Sequence, residues 1–586
     1  MLIAANSQSG SAACREQWLT DRREKTIVSL LLLTTFSLAA GSAAQKSVTV
    51  DEYQALPHGL AMLKTGDLHL ATGVPLLASV LPALPLLATD AQLDVSRMRD
   101  YTSSWQCGRQ FVIDNAFERD PQSGQLVPSG RYHDYFLPGR LVSIAVLLVT
   151  CGLAYGYARS LYGPPSGLLA MLVACFSPNL LAHGRLITPD VYLAAAMIAC
   201  VWAFDHWLSQ PTWGMSGVLG LCLGTAALCK LTALLLFLLV PSLLAGQSVV
   251  DRIRPRDPIV GRPPRHRVWT LMAVSLVAGI LVINAGYLFG GTFAPLGQFQ
   301  FESRQMRAMA EALPGWLPVP LPRYFFQGIE AQLAESGYTA YLMGQFNDTG
   351  FYSYYLVALL VKTPAPVLLL CGLAWLYGGR PTRRELPMIA TAAFLLLFFS
   401  LSRHKNIGVR YVLFLQPMMA VWIGRLLSGT ASKRTWLRYT VAASAACLIV
   451  ISLTSWPHYL PYFNWLSGGP NNGHRWLLDS NLDWGQDLIA LRRYMEQEQI
   501  EEIDLAHFGR VPPAVYGIRH RTLRAGEKPL NRHVAISANL LWGLMYVVNG
   551  DLNYWPDDPD GYRAFRQIRP KAVLGHSIYV FEMEPR

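Results

Sequence analysis

Long apolar runs separated by short arginine-bearing loops dominate this sequence and leave few architectures open. A helix that crosses a bilayer needs about 20 apolar residues, because unpaired backbone groups are costly in hydrocarbon. Eleven runs approach that length: 27–45, 139–158, 165–183, 190–207, 214–229, 231–246, 269–289, 353–377, 387–402, 409–427 and 439–455. The run 71–89 holds four prolines or glycines and reads as interfacial. The first run ends in small residues, as a cleaved signal does. It is read as an uncleaved anchor because the residues just after it carry candidate chemistry.

Composition supports a membrane chain. Of 586 residues, 52 % are hydrophobic and 15 % charged, against about a quarter charged in soluble proteins. A cytosolic enzyme, a disordered chain and a plain nucleic-acid binder are excluded on that ground. The net charge of +11 (49 Lys+Arg minus 38 Asp+Glu) is mainly a topology signal. Positive charge marks the cytoplasmic side, and it recurs at Arg22, Arg23 and Lys25. It recurs again at Arg252, Arg254, Arg256, Arg262, Arg265 and Arg267, at Arg380, Arg383 and Arg384, and at Lys433, Arg434 and Arg438. This pattern puts the N-terminus inside and the segments 46–138, 290–352, 403–408 and 456–586 outside. Nucleic acid is not an expected partner; membrane lipids are. Nine cysteines, none in a CxxC pair, support neither a zinc knuckle nor a disulfide framework.

The expected fold is therefore a polytopic α-helical membrane protein of about eleven transmembrane helices. Residues 1–26 form a cytoplasmic tail, 27–455 the membrane domain, and 456–586 a small outer α/β domain. In that outer domain the pattern predicts a helix over 485–498 and strands at 503–508, 533–537 and 572–582.

Candidate chemistry gathers at the outer membrane edge. Asp51 and Glu52 follow the first span directly. A partly desolvated carboxylate there is a stronger base, and an acidic pair also stabilises a helix start. His183, Arg185 and Asp190 follow the third span, spaced for a turn rather than one helix face. Ionisable groups at a membrane boundary point to function, although Thr188 or Asp190 also suits a helix cap. Arg140 opens the second span, where it can meet an anionic headgroup or snorkel. Lys230 lies between two runs. Lys362, followed by Thr363-Pro364, lies well inside one, so it faces a polar partner or the span begins later. His404, Lys405, Asn406 and Arg410 make an outer basic patch suited to a lipid phosphate. In the tail, Asp479-Ser480-Asn481-Leu482-Asp483-Trp484-Gly485-Gln486-Asp487 suits calcium or a sugar, with Trp484 as a stacking platform. It equally suits Asx turns capping a helix.

Six places in this order resemble a known group: Asp51-Glu52; Gly139-Arg140 with Ala158-Arg159-Ser160-Leu161-Tyr162-Gly163; Ser177-Pro178 through His183-Gly184-Arg185 to Asp190; Gly224 through Lys230; Val361-Lys362-Thr363-Pro364; and Asn406-Ile407-Gly408-Val409-Arg410-Tyr411. Over roughly 27–455 the chain resembles the polytopic glycosyltransferases with a GT-C fold, which include protein O-mannosyltransferases and the aminoarabinose transferases acting on lipid A. The resemblance implies an inverting transfer of a sugar from a polyprenyl-phosphate carrier to a protein, lipid or glycan hydroxyl, at the outer face of the cell (inner) membrane. It implies Asp51 as general base, with Glu52 and Asp190 shaping the site or holding a divalent cation. It puts Arg140, His183 and Arg185 on the donor side, and Lys230, Lys362, Lys405 and Arg410 against the lipid phosphate. The chain departs from the group in having Thr72-Gly73-Val74-Pro75 where a Pro-Pro step is common, and an insertion-like segment at 90–134. The rival reading is a transporter or flippase of lipid-linked sugars. That reading calls for internal repeats and polar residues at mid-membrane, and neither is evident.

Overall fold

The computed structural model describes residues 5–98, 103–253, 264–335, 339–403, 405–429 and 431–583. Arg254, Arg256, Arg262 and His404, read above as topology or patch residues, lie outside the described residues.

The first run is the end of α1 (Ala5–Ala44), of which Arg22–Ala44 is apolar enough to cross a membrane. Its Thr34 and Thr35 hydroxyls donate to the carbonyls of Leu30 and Leu31, each at 2.8 Å, which satisfies both inside the helix. The next loop folds into α2 (Val50–Thr65), α3 (Leu76–Ala83), α4 (Ser104–Asn115) and a hairpin of β1 (Phe117–Arg119) and β2 (Leu126–Pro128). The chain re-enters the bundle through α5 (Phe136–Tyr162), α6 (Pro164–Cys175), α7 (Pro178–Gly184), α8 (Pro189–Ser209), α9 (Trp213–Cys229), α10 (Leu235–Ile253) and α11 (Arg265–Gly286). A second large loop carries α12 (Arg304–Ala312), α13 (Arg323–Ala334), and the hairpin β3 (Ala340–Leu342) and β4 (Gln345–Asn347). The bundle is completed by α14 (Tyr354–Lys362), α15 (Ala365–Tyr377), α16 (Leu386–Ser402), α17 (Leu415–Gly424) and α18 (Thr435–Ser455).

The structure does not bear out the exact count of eleven spans: among the described residues six helices are long and apolar enough to cross a membrane, or up to eight if each of two bent pairs is one span. The runs 165–183 and 353–377 break into α6/α7 and α14/α15, bent by 61° and 111°. Proline is the cause. It lacks an amide donor and drives the preceding residue out of the helical region; Thr363, before Pro364, is extended at φ −83°, ψ 132°. The runs 214–229 and 387–402 are single helices shorter than 18 residues. The run 409–427 is helical in three short pieces.

Packing inside the bundle uses small residues where helices touch. On α9, a Cβ added at Gly220 would lie 2.5 Å from Ala278, and one at Gly224 would lie 2.5 Å from Val282. This glycine pair, four apart, lets α9 and α11 meet backbone to backbone, as small residues do in membranes.

Charges separate to the two ends of the bundle. At one end Arg159 pairs with Glu24 at 2.9 Å, Arg384 with Asp205 at 2.8 Å and Arg425 with Glu385 at 3.2 Å. The other end gathers the residues after α1, before α8 and after α9, and there the tail covers the helices.

The tail has a helix and strands in the expected segments, but the run 572–582 is two antiparallel strands and a further strand, at 520–522, was not expected. Its helix α19 spans Leu488–Gln497, and its strands are β5 (Ile503–Ala506), β6 (His520–Thr522), β7 (His533–Ser537), β8 (Ala572–Leu574) and β9 (Ile578–Glu582), with the short α20 (Ala538–Leu541). The sheet order is β6-β5-β7-β9-β8. β5 runs parallel to β6 and β7, while β9 is antiparallel to both β7 and β8. One continuous buried apolar cluster joins Tyr354 and Val409 of the bundle to Trp484, Phe508 and Val534 of the tail.

Candidate active site

The start of α2 sets the site. Glu52 sits in its first turn and accepts from the Thr49 amide at 3.1 Å and the Thr49 hydroxyl at 3.0 Å. Its two oxygens also take Arg140 Nε at 2.8 Å and Nη2 at 2.7 Å, and the Ile187 amide at 3.2 Å. Arg140 spends its other donors on the carbonyls of Ala43, Lys46 and Ser47, at 2.7, 2.7 and 3.0 Å. Both side chains are fully buried. Burial raises the Glu52 pKa, but the Arg140 charge and hydrogen bonds, with the Thr49 amide, outweigh it and hold the carboxyl below its ordinary value. This pair is saturated. It locks the exit of α1, the start of α2 and the start of α5 together.

Asp51, one residue earlier, faces the other way. It keeps 24 % of its side chain exposed and accepts from Arg410 Nη1 at 2.6 Å. The same nitrogen lies 3.7 Å from Asp190 Oδ2. Asp190, in the first turn of α8, takes Lys230 Nζ on its other oxygen at 2.8 Å. Thr188 supplies no side-chain cap there. Lys230 rests 4.4 Å over the Tyr411 ring, and Arg410 lies 4.4 Å over Trp484. Two carboxylates and two cations thus alternate around one point at the Asp51 end of the bundle.

The tail adds a third carboxylate. Asp479 is left-handed at φ 59°, and its backbone amide donates to Asn539 at 2.8 Å. Burial pushes its carboxyl up to about 6, against the pull of Arg410 and with a further push from Asp51. Spacing gave no sign of this meeting across more than 400 residues. Trp484 is no open platform: it is 2 % exposed, sandwiched by Arg410 and by the edge of His183 with ring centres 6.2 Å apart. Among the described residues no three His, Cys, Asp or Glu side chains converge as a metal set. Asp51 and Asp190 meet Arg410 and Lys230 instead.

The remaining candidates divide. Lys362 is buried at the α14/α15 break, donates to the carbonyls of Leu460 and Asn481 at 2.7 and 2.6 Å, and lies 4.5 Å from the Phe463 ring centre. It ties the tail to the broken helix. Lys405 contacts Gln332 and Glu335 of the second large loop. His183 is buried beside Trp484. Arg185 is wholly buried, and its Nε, Nη1 and Nη2 find no hydrogen-bond partner. Burial and the nearby Arg140 lower its pKa to about 10, against the pull of Glu52 and Asp487.

Comparison with known proteins touches one part of this site. Residues 133–257, which carry Arg140, His183, Arg185, Asp190 and Lys230, match the family described as dolichyl-phosphate-mannose-protein mannosyltransferase. No curated protein matches the chain. Among solved structures the chain is similar to ArnT from Cupriavidus metallidurans in the apo state, at 16 % identity, over 76 % of this chain and 66 % of that one, with a TM-score of 0.44. Against ArnT from the same organism bound to undecaprenyl phosphate the figures are 14 %, 97 %, 99 % and 0.43. Against the Archaeoglobus fulgidus oligosaccharyltransferase in the apo form they are 11 %, 75 %, 55 % and 0.43. The chain spans about two thirds of the first of these relatives and just over half of the last.

Proposed function

We propose that this chain is an inverting membrane glycosyltransferase that moves a sugar from a polyprenyl-phosphate carrier to an acceptor hydroxyl at the outer face of the plasma (inner) membrane. The observation that carries the reading is Asp51, a part-exposed carboxylate held by a buried arginine at a membrane boundary. The mannosyltransferase match over 133–257 supports the same reading.

In this reading Asp51 accepts the proton of the acceptor hydroxyl. The hydroxyl oxygen forms the new bond to the anomeric carbon as the bond from that carbon to the phosphate oxygen breaks on the opposite side. The electron pair leaves with the lipid phosphate. Arg410 and Lys230 stabilise the charge that builds there, as preplaced cations do for departing phosphates. Asp190 holds both cations in position. Arg185, with its buried donors unspent, serves the donor side, and the Glu52–Arg140 pair braces α2.

The test is transfer by the purified full chain from a panel of radiolabelled polyprenyl-phosphate sugars, with Asp51→Asn alongside. The reading expects transfer from one donor by the wild type and its loss in a folded Asp51→Asn protein. Equal transfer by both removes Asp51 as base. No transfer from any donor overturns the reading.

A further inference from the structure

Beside Asp51 the first large loop and the tail build one wall together. Gln54, one helical turn from Asp51 and on the same face of α2, accepts from the Ser104 hydroxyl at 2.6 Å. That bond fixes the start of α4 and hence Trp105. Gly108 tightens the join, since a Cβ there would meet the Tyr53 ring and carbonyl at 2.5 Å. From the tail, the loop after β5 lays the Arg510 guanidinium 4.1 Å over the Trp105 ring. Arg510 Nε donates to the Tyr546 hydroxyl at 3.0 Å. Tyr546 in turn packs against Phe508 and Trp555, with ring centres 4.6 and 5.3 Å away. Asp51 and Asp479 are close enough for their charges to help raise the Tyr546 phenol, which burial chiefly pushes up to about 12.

Three features make this wall more than packing. Trp555 is 53 % exposed although it is a large aromatic next to a polar centre. Arg510 makes no ion pair with any carboxylate among the described residues. Its two Nη groups remain after Nε has gone to Tyr546, and such an edge takes a planar carboxylate through two parallel hydrogen bonds. Aromatic faces beside it suit the C–H face of a pyranose ring.

We propose that Trp105, Arg510, Tyr546 and Trp555 form an acceptor subsite for a glycan bearing a carboxylate, that is, a uronic-acid sugar. The inference rests on the proposed transfer at Asp51 only for the word acceptor. The ring lies against Tyr546 and Trp555, and the carboxylate meets Arg510. One guanidinium matches the single charge of a uronate better than the double charge of a phosphate monoester.

Binding, rather than transfer, tests it. Isothermal titration calorimetry on the full chain in detergent would compare tetragalacturonate, neutral maltotetraose and glucose 6-phosphate at fixed ionic strength. Tetragalacturonate is expected to bind, and maltotetraose to bind at least about tenfold more weakly, the usual worth of one charge-assisted contact. Arg510→Gln is expected to cost tetragalacturonate about tenfold and leave maltotetraose unchanged. Trp555→Ala, at an exposed position that leaves the fold intact, is expected to weaken both sugars. Equal binding of the acidic and neutral sugars overturns the proposal, as does an Arg510→Gln protein that binds tetragalacturonate normally. Tighter binding of glucose 6-phosphate overturns the carboxylate in favour of a phosphate. Normal uronate binding by a protein that transfers no sugar leaves this subsite standing and removes the transferase reading. The converse result does the reverse.

Discussion

Arg410 Nη1 reaches Asp51 at 2.6 Å while its guanidinium lies 4.4 Å over Trp484. The cation is therefore held on one side by a residue just after the first helix and on the other by the tail. Asp51→Asn is expected to lower kcat by about 10²–10⁴, the usual worth of a positioned base. Arg410→Lys, which keeps charge but cannot hold the same flat stack, is expected to lower kcat as well, with the donor KM rising. Radiolabelled transfer over a range of donor concentrations reads kcat and the donor KM. Normal kcat in Arg410→Lys sinks the role given to the cation.

The Glu52–Arg140 pair should matter for folding more than for catalysis. Removing one partner leaves the other charge buried, at a cost of about 3–5 kcal/mol. Arg140→Ala and Glu52→Ala are each expected to lower the melting temperature strongly. Thermal unfolding in detergent is the readout. A fully stable Arg140→Ala protein with lost donor binding would instead return Arg140 to the donor side.

Arg185 gives the opposite expectation. Its nitrogens hold no partner, so Arg185→Gln should leave the melting temperature close to wild type while raising the donor KM. A large drop in melting temperature with normal kinetics among surviving molecules would make Arg185 a structural cation only.

Asp483 carries a pH prediction in the tail. Burial pushes its carboxyl up to about 7, against the Gly485 amide and with a further push from Asp487. The folded state thus keeps a proton that the unfolded state sheds near its ordinary value of 3.8. Between those values the native state binds more protons, so this group's contribution to stability falls as pH rises, by up to about 1.4 kcal/mol per unit. Buried neutral histidines act the other way: burial holds His507 at about 3 and, with Lys46, His458 at about 4. Comparison with Asp483→Asn cancels their part. The variant should gain melting temperature over wild type from pH 5 to pH 8; a constant difference would refute the shift.

The α9–α11 contact makes the fifth case. Gly224→Val would press a side chain into Val282, which a Cβ already approaches at 2.5 Å. Overpacking of this kind costs about 1–3 kcal/mol, and the expected result is lower thermal stability. Leucine at exposed Gly217, where a Cβ meets nothing within 4 Å, should be tolerated.

Local patterns were legible in the sequence, and long-range meetings were not. A short apolar run marked β7 at 533–537, and a long one marked α5, because both signals lie within one element. The break at Thr363-Pro364 was half visible: a lysine inside a span demanded a partner, but spacing could not say that two tail carbonyls supply it. Asp51 and Glu52 are adjacent, so composition treats them alike. Only the direction each faces on α2 separates a saturated strut from a part-exposed carboxylate. Asp479 reaches the site from the segment before α19 and Arg510 from the loop after β5, and no periodicity links them to Asp51.

The ammonium of Lys362, satisfied by the carbonyls of Leu460 and Asn481, also bears on biogenesis. A ribosome delivers this lysine 119 residues before Asn481. Until then the nascent chain holds a charge in an apolar helix without its final partners, and the kink beside it has nothing to clamp. Trp484, which closes over Arg410, emerges later still. The cluster around Asp51 and Arg410 is thus complete only once residue 484 has been made and the tail has docked on the bundle.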